Sequence, residues 1–73
     1  MAPDWKSRIT IDPAVLVGKP TARRLRISVE QIVRSLAAGI PESELLADHP
    51  ELEPADLRAC LAYAADVMSA ERV

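Results

Sequence analysis

Apolar positions along this 73-residue chain recur with two different periods. Arg8-Ile9-Thr10-Ile11 alternates polar and β-branched apolar residues, the period of a half-buried strand, and predicts a short strand there. Asp12-Pro13 follows as an N-cap and first-turn pair and predicts a single helical turn over Ala14 to Leu16. Gly18 then supplies a backbone position free of the Cβ penalty, and Pro20 holds Lys19 extended. Leu25 to Ile27 is expected as a second strand that pairs back onto the first.

From Val29 the period becomes helical, with Val29, Ile32, Val33, Leu36 and Ile40 on one side. Ser28-Val29-Glu30-Gln31 ahead of it has the form of a capping box, in which the Ser28 hydroxyl accepts from the Gln31 amide and the Gln31 side chain returns to the Ser28 amide. Gly39 is placed to stop this helix in the left-handed conformation. Pro41 starts a short second helix with Glu42 and Glu44 near its positive end and Leu45 and Leu46 inward, and Pro50 ends it. Pro54 opens a third and longest helix that runs to about Ser69. Its expected core stripe is Leu57, Leu61, Ala64 and Met68, widened by Cys60 and Val67.

The pattern predicts one mainly α domain over 1–73: an N-terminal arm and β-hairpin over 1–27, then a small trihelical, helix-turn-helix-like bundle over 28–70. A chain of this size buries only about 60% of the surface its unfolded form exposes, so it is marginal without added burial. An internal disulfide is excluded, because Cys60 is the only cysteine. A zinc site would need about four ligands, and Cys60 and His49 are the only soft candidates. Added burial is therefore expected from a partner or a second copy, and a homodimer is the simplest form.

Cys60 lies in an apolar helical pattern and reads as a small buried hydrophobe in a reducing compartment. The polar start of the chain does not resemble a signal peptide, and no apolar run approaches the roughly 20 residues that span a bilayer. A cytoplasmic protein without membrane attachment is the expectation.

Charge is distributed unevenly. Residues 1–34 carry seven cations against three carboxylates, +4, while residues 35–73 carry two against eight, −6. Much of the positive charge lies in Lys19, Arg23, Arg24 and Arg26, between the Gly18 turn and the Ser28 cap. Three destinations stand open for these cations. They can pair with the acidic helices of the same or a sister chain. They can grip carboxylates in an acidic cleft of a protein partner by bidentate pairing. They can contact nucleic-acid phosphates. Readout of DNA by the third helix is disfavoured, since Glu53 and Asp56 would lead it into the groove.

Glu42, Glu44, Asp48 and Glu51 fit helix solubility and dipole complementarity better than catalysis, because no His, Lys or phosphate loop is placed to work with them. No catalytic residue, metal site or cofactor is expected. His49 is expected at the core edge or helix end, and Tyr63 beside the apolar stripe with a wet hydroxyl, a position common among interface anchors. Trp5 is expected under the hairpin or against a sister chain.

Ile9-Thr10-Ile11-Asp12-Pro13, Gly18-Lys19-Pro20, Arg26-Ile27 with Val29, Ala37-Ala38-Gly39, Pro50-Glu51-Leu52 and Leu61-Ala62-Tyr63-Ala64 occur here in one order and spacing. Together they resemble the bacterial domain-of-unknown-function 433 family, described as VapB-type antitoxins, over about residues 8–68. The family usually follows Gly-Lys-Pro with an apolar pair, a basic residue and Gly-Thr-Arg-Ile-Pro-Val. Here Arg24 stands for the glycine, Leu25 for the threonine and Ser28 for the proline, while Arg26 and Ile27 keep their places.

The resemblance implies a small helix-turn-helix-like fold, frequently dimeric, and a toxin partner with a PIN-like nuclease fold. On that basis the expected function is that of a non-enzymatic antitoxin, with Lys19, Arg23, Arg24, Arg26 and Tyr63 as partner-binding residues. The alternative is an operon autorepressor that holds operator DNA through the basic hairpin.

Overall fold

Ser28 begins the first helix as expected. In the computed structural model, which describes residues 5–12, 18–23 and 25–70, its backbone is extended and its hydroxyl accepts the Gln31 N–H at 3.0 Å. Helix α1 spans Val29–Ala37. It ends at Gly39, whose φ of 90° lets the Gly39 and Ile40 amides turn back to the carbonyls of Leu36 and Ser35. These crossed bonds satisfy two carbonyls that a helix end otherwise leaves unpaired. Helix α2 spans Glu42–Asp48, with Pro41 as its cap one residue ahead of the first turn. Helix α3 spans Pro54–Ala70.

Ahead of the helices, Trp5–Ser7 forms a tight helical turn, and strands β1 (Ile9–Ile11) and β2 (Pro20–Ala22) pair antiparallel. Ile9 lies opposite Ala22 and Ile11 opposite Pro20. The three helices and two-stranded hairpin make the protein mainly α, as the periodicity predicts. The expected turn over Ala14 to Leu16 lies outside the described residues.

The second strand is not Leu25–Ile27. Pro20 supplies β2 instead, in an outer register position where its missing N–H is tolerated. The reason is local. Arg23 has φ 51°, so the chain turns immediately after Ala22. The Leu25 N–H then reaches the Ala22 carbonyl at 2.9 Å, and the Ala22 N–H reaches the Ile27 carbonyl at 3.1 Å. The segment thus doubles back on β2, where Ser28 bridges Thr21, rather than on β1.

The core gathers residues from every layer. Ile9 and Ala22 from the hairpin, Ile27, Val29 and Ile32 around the start of α1, Leu52 from the connection, and Leu57, Ala59 and Cys60 from α3 form one buried cluster. The expected α3 stripe is only partly buried. Leu57 and Cys60 are enclosed, whereas Leu61 and Met68 are 43% and 70% exposed. The inward face is rotated, because Asp56 and Ala59 take positions in the core.

Candidate functional site

Asp56 is the charged residue at the centre of the structure. Its carboxylate has no solvent exposure, on the first turn of α3. One oxygen accepts the Glu53 backbone N–H at 2.8 Å, which closes the helix start from the third helical position in the manner of a capping box. The Arg23 guanidinium meets both oxygens, Nε at 3.0 and 3.1 Å and Nη2 at 2.8 Å. The same Nη2 donates to the Glu51 carbonyl at 2.6 Å. Arg8 adds a bond from Nη1 to Oδ1 at 2.9 Å and bridges to Glu53 at 2.8 Å.

Backbone and side chain cooperate in this clamp. The Arg23 N–H donates to the Arg8 carbonyl at 2.6 Å, so the residue just past β2 is tied to the residue just before β1. A positive φ costs a non-glycine residue on the order of 1–2 kcal/mol. The bidentate pair with Asp56 holds Arg23 there. Two guanidinium groups against Asp56 and Glu53 make the cluster formally neutral.

Burial pushes the Asp56 carboxyl up, but the bonds from Arg23, the Glu53 amide and Arg8 outweigh it, and the carboxyl titrates below its ordinary value. Arg8 is raised by its hydrogen bonds to Glu53 and Asp56, and Arg23 by its bond to Asp56. Each of the three groups holds its partners in the charged form. One turn further on, burial and the nearby Asp56 charge push the Cys60 thiol up to about 11. A thiol held neutral to that degree is a poor nucleophile. Cys60 is the small core residue the sequence suggests.

A second feature lies between α1 and α3. An open, almost wholly apolar groove of about 270 Å³ is lined by Pro20, Val29, Val33, Tyr63, Ala64, Val67 and Met68. Glu30 also lines it and is flanked by two cations, Arg34 at 2.9 Å one turn along α1 and Lys19 at 3.9 Å. The Arg34 bond holds Glu30 below its ordinary value. Tyr63 is shared. It lines the groove and carries the edge of Trp5, with ring centroids 4.7 Å apart and planes at 87°. The Trp5 indole N–H donates to Asp66, so the N-terminal arm is strapped to α3.

The five expected partner-binding residues therefore separate. Tyr63 lines the groove, and Lys19 pairs with Glu30, another of its lining residues. Arg23 turns inward onto Asp56, the same-chain pairing left open by the charge pattern. Arg26 is exposed and forms no ion pair among the described residues, and Arg24 lies outside them. Arg8 and Asp56 complete the buried cluster from outside the five expected residues. The available signal was Glu53-Pro54-Ala55-Asp56, an acidic residue three positions after a helix cap, together with the excess of cations in the first half.

Among the described residues no group of His, Cys, Asp and Glu is arranged to hold a metal ion, and no helix is long and apolar enough to cross a membrane. The described side chains also leave no buried polar atom unpaired. Comparison with curated proteins and with solved structures finds no match. One family model does match, over residues 9–64, from β1 to the middle of α3. The chain belongs to that family, described as Protein of unknown function (DUF433).

Proposed function

We propose that this protein is a non-enzymatic antitoxin of a type II toxin-antitoxin pair, acting in the bacterial cytoplasm, that binds and neutralises a PIN-like ribonuclease. The observation that carries the reading is the apolar groove between α1 and α3, with Tyr63 in its lining and Lys19 paired to Glu30, another lining residue. A groove of this kind suits a protein segment with apolar anchors, and an aromatic residue at its wall is a common energetic centre of such contacts. Lys19 at its rim suits a carboxylate of the acidic cleft of a nuclease.

The fate of the arginines favours a protein partner over operator DNA. Phosphate binding draws on free cations. Arg23 is engaged with Asp56 and Glu51, and Arg8 with Asp56 and Glu53. Of the basic segment's described residues, Lys19 and Arg26 stay on the surface.

The test is co-purification with the product of the adjacent open reading frame, followed by a ribonuclease assay of that product with and without this protein. Binding and inhibition are expected, and Val33→Lys is expected to abolish both while the circular dichroism stays helical. No binding by a folded wild type refutes the antitoxin reading. Binding to promoter DNA that weakens steeply between two salt concentrations, with no protein partner, establishes the autorepressor reading instead.

A further inference from the structure

The second half of α3 is apolar on a side that its own chain does not cover. No residue of 61–70 is buried. Leu61 is 43% and Met68 70% exposed, and Ala65 between them is exposed as well. At about 100° per residue these three lie within roughly 60° of one another, with Ala64 beside them. They form a seam on the flank away from Asp56, Cys60 and Asp66. The apolar stripe of a helix normally faces a core, and this seam faces none within its own chain.

We propose that this seam is the contact between two copies of the chain, with the two α3 helices crossing antiparallel about a two-fold axis at Ala64 and Ala65. A two-fold contact requires a patch complementary to itself. The order Leu61, Ala64, Ala65, Met68 is large, small, small, large in both directions. The register that sets Leu61 across from Met68 of the second copy also sets Ala64 across from Ala65, so the backbones approach where side chains are smallest.

Charge agrees with this pairing. Asp66 is the one charged residue among 61–70, and the Trp5 indole already holds it within the chain. A patch that meets itself therefore meets no like charge.

Size decides how far the contact reaches. A stable interface buries about 1,200 Å² or more in total, about 600 Å² per copy. That is roughly an eighth of the 5022 Å² that this chain exposes. Four side chains alone fall short, so the contact extends to Arg58 at one end and to Val67 and the groove edge at the other. Ala64 and Met68 belong to both the seam and the groove lining, so the second α3 forms one wall of the groove. This inference does not depend on the identity of the toxin.

Sedimentation across the micromolar range tests it on the full chain. The wild type is expected as a dimer, with a melting temperature that rises with concentration. Met68→Glu and Leu61→Glu should each weaken self-association by at least about tenfold while leaving the helical spectrum intact. Arg58→Glu, at the end of the contact, should weaken it less. Ala65→Cys should form an intermolecular disulfide under mild oxidation, and Ala47→Cys, exposed on α2, should not. A wild type that sediments as a folded monomer overturns the proposal. So does a Met68→Glu dimer as tight as wild type, or a monomer whose Met68 is covered only when the toxin binds.

Discussion

The two halves of α3 are similar in residue type and opposite in environment. Pro54 to Cys60 contributes Asp56, Leu57, Ala59 and Cys60 to the interior, and the one ionised group among them is wholly enclosed. Residues 61–70 are richer in apolar side chains, and none is buried. Hydropathy alone would assign the environments the other way round. The difference lies in what faces each half. The first half meets the hairpin, which supplies Arg8 and Arg23 as partners for Asp56. The second half meets Trp5 on one side and the groove on another.

The largest effect should come from breaking the enclosed half. Asp56→Ala leaves two guanidinium groups without their shared carboxylate and uncaps α3. Removing one member of a buried ion pair costs about 3–5 kcal/mol. The side chains of Arg8 and Arg23 are 33% and 36% exposed and can rehydrate, so the lower end, about 3 kcal/mol, is expected from urea denaturation. The same residue sets an acid limit. The folded Asp56 carboxyl titrates below its unfolded value, so its contribution is fully present above about pH 4 and is lost as pH falls through the folded value. Stability of the wild type should decline in that window, and the Asp56→Ala slope should be shallower there.

A finer break separates the Arg23 side chain from its backbone. Arg23→Ala and Arg23→Gly both remove the clamp on Asp56, but only glycine takes φ 51° without strain. The alanine variant should be less stable than the glycine variant by about 1 kcal/mol in the same denaturation experiment. Equal stabilities would mean that the turn relaxes once the guanidinium is gone.

These two residues also mark what the sequence could and could not reveal. The helices were legible because their punctuation is local: Ser28 caps, Gly39 terminates, and Pro54 opens, each through bonds within a few residues. The hairpin was half legible. Alternation found β1, but β2 depended on the left-handed conformation of Arg23, which no residue preference announces and which a contact 33 residues away sustains. Asp56 carried a local signal as the third helical residue after Glu53, yet its burial depended on two arginines that flank distant strands. The α3 stripe was misplaced for the same reason, since hydropathy counts Asp56 as an outward residue. At the groove, Tyr63 was legible from helical spacing, whereas the approach of Lys19 to Glu30 required the folded hairpin.

Within the exposed half, Trp5 straps the N-terminal arm to Tyr63 and Asp66. Trp5→Ala removes an edge-on aromatic pair and a hydrogen bond to Asp66. The aromatic pair is worth about 0.5–1.5 kcal/mol beyond simple burial. A loss of about 1 kcal/mol is expected, smaller than for Asp56→Ala, and it should raise protease sensitivity in 61–70 more than in 54–60. Uniform sensitisation would show that the two halves open together.

The smallest effect discriminates most sharply. Met68→Gln changes a side chain that is 70% exposed, and glutamine has nearly the helix propensity of methionine. An isolated copy therefore loses neither core burial nor backbone preference, and its stability should stay within about 0.5 kcal/mol of wild type. That near-neutrality should hold only in dilute solution. If a second copy covers the seam, the wild type gains stability with concentration and the Met68→Gln protein gains less, so their melting curves diverge as both are concentrated. Curves that stay superimposed at every concentration would place Met68 permanently in water and leave the outer face of α3 as bare surface.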